Sequence, residues 1–254
     1  DDDGTFANSP AAAAFLVKGA KYDFSDYLER QVGQQMYPLM DQIDDALSGD
    51  MAEDATDSYD KWFSDPEEAR LYSESQHAGS LGPARGLAKR VDLSGVRTLL
   101  DVGGGTGAFA ITLCKANPDL TATVIDFPNV AALGEAYVAD AALSDRVTYR
   151  HGNALEGDWP DGQDAILMSY LFSGVPDHAH EGLIAKAFAH LAPGGRLFIG
   201  NLKRAHDCSW AMDYAVHWQL IYRTQADMIE LGERMREPDA SIEVTEDPTG
   251  YCMF

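Results

Sequence analysis

The chain has 254 residues, a length that suits one large domain or one domain with a small appendage. Its 41 acidic residues outnumber 19 basic ones and give a net charge of -22, which makes nucleic acid and an anionic membrane surface unfavourable partners. The apolar run at residues 11–17 is too short to span a membrane, and no signal-peptide pattern precedes it. Three cysteines without CxxC spacing indicate neither a disulfide framework nor a zinc site, so we expect a reduced, cytoplasmic protein without a metal.

Residues 1–60 predict helices rather than a domain with its own core. Apolar and aromatic side chains recur there at helical spacing, first between Phe15 and Leu28 and then between Met36 and Leu47. Amphipathic helices of this kind need a surface to cover. We therefore expect them to pack on the main domain or on a partner chain.

A further helix is predicted to begin at Asp65, which is followed by a proline and two glutamates. Its stretch at positions 71–80 is rich in small and polar residues, which is unusual for a core helix and indicates close approach to a ligand. Tyr72 and Gln76 are therefore candidate substrate contacts. For His77, a hydrogen-bonded structural histidine and a site residue are equally weighted interpretations.

From residue 96 onward, strands and helices alternate, which is typical of a parallel sheet with crossover helices. The pattern therefore predicts an α/β fold with a mostly parallel sheet and a helical N-terminal segment. The predicted strands are Thr98–Val102, Thr121–Asp126, Val147–His151, Ala165–Tyr170 and Arg196–Asn201, and the predicted helices between them are Phe109–Asn117, Val130–Ala142 and Ala179–Leu191.

After residue 201 the pattern changes to an aromatic-rich helix over Trp210–Tyr222. Thr224 is predicted to cap a second helix, Gln225–Met235. A hairpin of Ser241–Glu246 and Tyr251–Phe254 is predicted to close the chain.

A glycine-rich turn, TLLDVGGGTGA at positions 98–108, links the first predicted strand to the next helix. This geometry brings backbone amides close to a ligand, and Gly103 and Gly105 allow approaches that a Cβ would block. No G-K-[ST] follows, which excludes a P-loop. Asp101 stands two residues before the first glycine, where it would repel a phosphate.

An acid in that place suits a cationic ligand with a free amino group, such as the methionine end of S-adenosylmethionine (SAM). Asp126 ends the next predicted strand, where it could accept hydrogen bonds from both hydroxyls of a ribose. In an open α/β sheet, Asp101 and Asp126 fall at the carboxyl ends of neighbouring strands, where ligands bind. The two acids together predict SAM as the ligand.

These residues resemble the class I SAM-dependent methyltransferases of the small-molecule O-methyltransferase type. The matching segments are LLDVGGGTG at 99–107, VIDFPNV at 124–130, HGNA at 151–154 and LAPGGRL at 191–197. The resemblance is good from Ser75 to Asn201, weaker before and poor beyond. It implies a Rossmann-like SAM-methyltransferase fold and a small-molecule substrate.

The resemblance also implies roles for single residues. Asp101 and the loop glycines would hold the methionine end of SAM, Asp126 the ribose, and Phe127 would lie against the adenine. Asn153 stands where the family commonly has an acid that bonds the adenine amino group, and its amide oxygen could accept that bond. The implied cofactor-binding set, with S-adenosylhomocysteine (SAH) as product, is Asp101, Gly103, Gly105, Asp126, Phe127, Asn153, Ala154 and Ser169.

Members of this family usually carry an N-terminal dimerisation domain with a winged-helix fold, and here only its last part is recognised. We therefore expect a partial dimerisation segment at residues 1–60, a SAM-binding catalytic domain at residues 61–254, and a homodimer.

One departure from the family bears on the chemistry. O-methylating members carry a Leu-His-Asp-Trp run whose histidine takes the hydroxyl proton, whereas this chain reads LFSGVPD at 171–177, with Phe172 at the place of the histidine. Phenylalanine cannot act as a base. A thioether sulfur has no proton to lose, so our main hypothesis is S-methylation of 4-methylthio-2-hydroxybutyrate, as in the branch that serves bacterial dimethylsulfoniopropionate synthesis.

In that hypothesis aromatic walls position the sulfur and tolerate a sulfonium product by cation–π attraction. The candidate walls are Tyr170, Phe172, Tyr214, Trp218 and Tyr222, and the candidate partners for the carboxylate of the substrate are His77, His178, His217 and Arg223.

Two alternatives remain open. The first is an O- or C-methyltransferase on an aromatic or keto-acid substrate with a relocated base, either His77 or one of the loop histidines His178 and His180. The second is a SAM-binding protein that does not methylate, since a fold does not fix a function. A metal at Asp177–His180 is disfavoured, because two histidines at this spacing on a polar loop are more often solvated.

Overall fold

The computed structural model describes residues 6–41, 43–48, 59, 63–203, 220–235, 239–246 and 252–254. Within this part of the chain a sheet has the order β3-β2-β1-β4-β5-β6, in which β1 to β5 are parallel and β6 is antiparallel to β5. The predicted Rossmann-like α/β fold class is thus confirmed. The strands are Thr98–Val102 (β1), Thr121–Asp126 (β2), Val147–His151 (β3), Gln163–Ser169 (β4), Leu191–Leu202 (β5) and Cys252–Met253 (β6).

Helices cover both faces of this sheet and also form the described part of the N-terminal segment. No helix among the described residues is long and apolar enough to cross a membrane. The helices are Pro10–Phe15 (α1), Tyr27–Met36 (α2, a π-helix), Tyr37–Met40 (α3), Ile43–Ser48 (α4), Pro66–Arg90 (α5), Ala108–Ala116 (α6), Pro128–Asp140 (α7), Leu171–Gly174 (α8), His180–His190 (α9) and Gln225–Met235 (α10).

The central strands β1 and β4 are buried on both faces. Leu99 packs with α6 in one apolar cluster, whereas Leu100 and Ile166 pack with α9 in the cluster on the opposite face. A parallel strand covered on both sides reads as a continuous apolar run rather than an alternating one. This explains why the sequence predicted the bounds of β1 correctly, whereas β3 has the predicted bounds although only Val147 in it is buried.

Two predicted strands have wrong bounds at both ends, since β4 is Gln163–Ser169 instead of Ala165–Tyr170 and β5 is Leu191–Leu202 instead of Arg196–Asn201. β4 ends at Ser169 instead of Tyr170, because Tyr170 adopts a left-handed conformation with φ 60° and turns the chain into α8. β5 begins at Leu191 instead of Arg196, since Leu191 already pairs with Gln163 before a register shift in the ladder.

The C-terminal predictions are confirmed in part. Thr224 caps α10, because its Oγ1 accepts a hydrogen bond from the Asp227 N–H (3.2 Å). Thr245 and Phe254 exchange two backbone hydrogen bonds, but residues 241–245 form no strand. Of the predicted aromatic helix, positions 210–219 lie outside the described residues, and positions 220–222 are not helical.

The N-terminal π-helix α2 packs on α5, as expected for helices that need a surface to cover. Arg30 forms an ion pair with Glu74 of α5, and the Tyr27 ring lies against Gly79 of the same helix. In contrast, Leu16, Tyr37 and several other large apolar side chains of this segment remain exposed.

Candidate functional site

The glycine loop between β1 and α6 is held over the carboxyl end of β2. Gly103, Gly105 and Gly107 have φ values of +65°, +58° and +75°, the left-handed region that side chains with a Cβ rarely adopt. The Gly103 N–H donates to the Ile125 carbonyl oxygen (2.8 Å). The predicted strand–turn–helix is therefore present.

Asp126, the last residue of β2, is tied to this loop. Its Oδ2 accepts a hydrogen bond from the Gly105 N–H (2.7 Å), and its Oδ1 accepts one from the Phe127 N–H (2.8 Å). Burial raises the pKa of this carboxyl to about 6, although the two N–H donors act in the opposite direction. A carboxylate has about four lone-pair sites, so Asp126 keeps acceptor capacity toward the cavity that it lines.

A cavity of about 570 Å³ lies between the glycine loop, the ends of the parallel strands and α5, a size within the usual range for small-molecule sites. Most of the predicted site residues lie in its wall. They are Gly103, Gly105, Asp126, Phe127, Asn153, Ala154 and Ser169 of the cofactor set, together with Tyr72, Gln76 and Tyr170.

Aromatic rings form one side of this cavity. The Phe63 ring lies 5.2 Å from the Tyr72 ring and 6.0 Å from the Phe127 ring, measured between centroids, and Tyr59 lies beside them. Tyr59 and Phe63 were not predicted from the sequence as site residues. Their spacing of four residues just before α5 was the available signal.

The polar face of α5 forms another side. Ser73, Gln76 and Ser80 line the cavity at intervals of three and four residues, which places them on one face of the helix. The prediction that this stretch approaches a ligand site therefore agrees with its position in the fold.

The predicted direct contact of Asp101 with a ligand needs correction, because the side chain lies beneath the loop. A Cβ placed on Gly104 would lie 2.6 Å from Asp101 Cγ, and Asp101 is fully buried outside the cavity wall. Neither carboxyl oxygen accepts a well-formed hydrogen bond from the residues that the structure describes. Burial, and then the charge of Asp126, raise the pKa of Asp101 to about 7, which the nearby Ala110 N–H offsets only in part.

The prediction that Phe172 forms an aromatic wall of the site is also wrong. Its side chain is fully buried in the apolar core and stacks on the His180 ring at 4.6 Å, whereas its neighbours Leu171 and Ser173 line the cavity. The left-handed turn at Tyr170 directs the chain so that Leu171 and Ser173 face the cavity and Phe172 faces the core. Phe172 is therefore a core residue and not a wall of the site.

Two candidate histidines, His77 and His178, do not line the cavity. The Nδ1 atom of His77 is 2.7 Å from Thr106 Oγ1, and its ring stacks on Tyr137 at 3.9 Å. Burial and the charge of Lys115 lower the pKa of His77 to about 4, so the ring is neutral at pH 7. His178 is exposed on the turn before α9. No histidine lines the cavity in the part of the chain that the structure describes.

Arg223 is a buried structural residue rather than a partner for a substrate carboxylate. Its guanidinium donates to the Phe172 carbonyl oxygen (2.9 Å), to Asn201 Oδ1 (2.6 Å) and to Asp177 Oδ1 (3.1 Å). These bonds fasten the loop after β4 to β5. The other predicted substrate residues, Tyr214, His217 and Trp218, lie outside the described residues, and the described Tyr222 does not line the cavity.

In the loop at 177–180, Asp177 and His180 are engaged with other protein groups. Both ring nitrogens of His180 are engaged, Nδ1 with Asp177 and Arg223 and Nε2 with the Val175 carbonyl oxygen. Among the described residues, no group of three or more histidine, cysteine or acidic side chains is arranged to hold a metal ion.

The buried carboxyl of Asp101 predicts a stability that falls with rising pH. The pKa of Asp101 is about 7 in the folded state, above the ordinary 3.8. Between these two pH values the folded protein holds a proton that the unfolded chain has released, so the contribution of the protonated carboxyl to stability is lost as pH rises through 7. We expect Asp101→Asn to raise the free energy of unfolding of the ligand-free protein at pH 8 by about 1–4 kcal/mol, with no gain at pH 4. Denaturant titrations at both pH values measure this difference.

Asp164→Asn is the matched control, because the Asp164 carboxylate accepts the Arg97 and Thr98 N–H groups and its pKa is lowered. This control should lose stability at pH 8. A loss of similar size for Asp101→Asn would show that its carboxylate is paired in the folded protein.

The family model of the O-methyltransferase domain matches residues 49–222. The 3-hydroxy-5-methyl-1-naphthoate 3-O-methyltransferase of Streptomyces sahachiroi is 31% identical over 215 residues, which cover 84% of this chain and 62% of the relative. The N,N-dimethyltransferase OxyT of Streptomyces rimosus is 32% identical over 209 residues, 79% of this chain and 59% of the relative.

The crystal structure of human N-acetylserotonin methyltransferase in complex with SAM superposes with a TM-score of 0.80 at 16% identity, over 97% of this chain and 73% of that one. The fold is thus shared with a methyltransferase, while the chain spans about 60% of the length of the two curated relatives. The family model covers more than half of the residues, and the chain belongs to the O-methyltransferase domain family.

Proposed function

We propose that the cavity binds SAM and that the chain transfers the methyl group to a hydroxyl oxygen of a small aromatic molecule. The observation that carries the cofactor part is the position of Asp126, whose two oxygens are fixed by the Gly105 and Phe127 N–H groups at the cavity wall. A carboxylate held in this way can accept two hydrogen bonds from a ribose diol. The SAM complex of the human structural neighbour supports the same choice of ligand.

The other residues of the wall fit the remaining parts of SAM. Phe127 offers a ring face to the adenine, next to Asn153. The Asn153 Oδ1 already accepts the Leu155 N–H (3.0 Å), and its second lone pair could accept the adenine amino group. At the other end, the glycine loop allows close backbone approach to the methionine part. Bound SAM supplies a sulfonium methyl group as the electrophile.

The aromatic side of the cavity would hold the acceptor. The rings of Tyr59, Phe63 and Tyr72 provide a flat apolar surface that orients an aromatic molecule and excludes water. Ring faces also attract the positive charge of the sulfonium. A phenolic hydroxyl is favoured as acceptor because its pKa, about 10 for a tyrosine-like phenol, lets it release its proton to water more readily than an aliphatic hydroxyl does. The resulting oxygen anion would take the methyl group, and SAH would leave.

The second candidate is the thioether 4-methylthio-2-hydroxybutyrate. The observation that favours it is the lack of a histidine among the described residues that line the cavity, since a thioether sulfur attacks without losing a proton. The curated relatives named above are, by their names, O- and N-methyltransferases, so we rank a hydroxyl oxygen first.

We further propose a homodimer formed through the N-terminal segment. The proposal is supported by Phe6, Leu16, Tyr37 and Leu47, each of which exposes a large apolar side chain in this segment, since an interface would remove this surface from water.

Transfer of labelled methyl from SAM to four acceptors tests the reaction. We expect label on a hydroxynaphthoate or a catechol, with a rate that rises with pH as the hydroxyl of the acceptor ionises. Phenylpyruvate and 4-methylthio-2-hydroxybutyrate complete the panel. Label on the thioether alone, with a rate independent of pH, would replace the oxygen acceptor by the second candidate. Binding of SAM without any label would contradict both.

Light scattering coupled to size exclusion tests the homodimer. We expect the mass of a dimer, and a shift toward monomer when Leu16→Asp and Tyr37→Asp are combined, because charges oppose burial of this surface. Ile229→Asp, at an exposed apolar residue of α10, is the control and should leave the mass unchanged. A monomeric parent chain would refute the proposal.

A further inference from the structure

Gln31 of the π-helix α2 reaches the site helix from the N-terminal segment. Its side chain is 2% exposed, and its Oε1 accepts a hydrogen bond from Gln76 Nε2 (2.6 Å) and lies 3.0 Å from Ser75 Oγ. π-helical turns are rare and concentrate at functional sites. A buried amide on such a helix, bonded to a residue of the cavity wall, suggests a role in the site.

The contact of Gln31 with α5 is held in place by charges. Arg30, the preceding residue, pairs with Glu74, and Glu74 also pairs with Arg70 of α5 (2.9 Å). The two glutamines are therefore fixed next to each other by a second set of interactions, and the orientation of the Gln76 amide is set by Gln31.

The orientation of the amide decides whether Gln76 offers its NH2 group or its carbonyl oxygen to a ligand. Its NH2 group faces Gln31, which leaves the carbonyl oxygen as the unbonded group, since none of the described residues donates to it. An amide oxygen accepts hydrogen bonds and cannot donate them. Gln76 therefore selects for a ligand group with N–H or O–H donors.

Gln76 lies at the glycine-loop end of the cavity. The next residue, His77, contacts Thr106, which stands between Gly105 and Gly107 of the loop. When Asp126 accepts the ribose of SAM, this end of the cavity receives the amino-acid part. The group there with N–H donors is the ammonium.

We propose that Gln31 is a positioning residue that fixes the Gln76 amide so that its oxygen accepts a hydrogen bond from the ammonium group of bound SAM or SAH. This assignment rests on the proposed function, because it requires a cofactor with an amino-acid end. It makes the N-terminal segment part of cofactor recognition.

Calorimetric titrations with SAH and with 5′-methylthioadenosine, which lacks the amino-acid end, test the assignment. In Gln31→Leu we expect the Kd of SAH to rise about tenfold, as for the loss of a hydrogen bond to a charged group, while the Kd of 5′-methylthioadenosine stays unchanged. Gln76→Leu should show the same selective loss. The double variant should lose no more than either single one, because both changes remove one interaction.

Gln34→Leu is the matched control, since Gln34 is exposed on the same π-helix, and both affinities should be unchanged. A merely structural role of Gln31 would weaken both ligands equally, so an unchanged ratio of the two Kd values in Gln31→Leu would overturn the assignment. If the parent chain binds neither ligand, the proposed function itself fails. The two failures are thus distinguishable.

Discussion

The hydrogen bond from the Gly105 N–H to Asp126 Oδ2 is the interaction on which the site depends. It joins the glycine loop to the neighbouring strand, and it holds a carboxylate at the cavity wall where burial opposes its charge. From behind, the Tyr149 hydroxyl donates to the Gly105 carbonyl oxygen (3.1 Å), and a side chain at Gly134 would collide with that tyrosine. The loop is therefore fixed from both sides before any ligand arrives.

In the proposed cofactor site, two buried acids next to each other favour a cationic ligand. Asp101 beneath the loop and Asp126 in the wall both have raised pKa values because burial disfavours their charges. A cationic ligand offsets this cost, whereas an anionic one increases it. The same feature that destabilises the ligand-free fold thus favours the sulfonium and ammonium groups of SAM.

The sequence predicted the parts of the fold that local pattern determines. Strands β1 to β3 have the predicted bounds, because all three end in recognisable turns and because the buried strands β1 and β2 are largely apolar runs, although β3 is mostly exposed. The glycine loop, Asp126 and the polar face of α5 were found for a similar reason, since each is encoded within a few neighbouring residues.

The sequence could not predict which way single side chains point. The positive φ of Tyr170 sends Phe172 into the core, although its place in the sequence suggested the site. Arg223 donates to the carbonyl oxygen of Phe172, 51 residues away in the sequence, and Gln31 accepts a hydrogen bond from Gln76, 45 residues away. Such contacts depend on the packing of distant segments.

Titration of SAH into the chain and into Asp126→Asn, at several pH values between 5 and 8, tests whether the Asp126 carboxylate holds the cofactor. We expect the affinity of the parent chain to increase as pH rises through about 6, where Asp126 ionises, and Asp126→Asn to bind at least tenfold more weakly at pH 8. Equal affinities of the two chains at pH 8, or no binding of SAH to the parent chain, would contradict it.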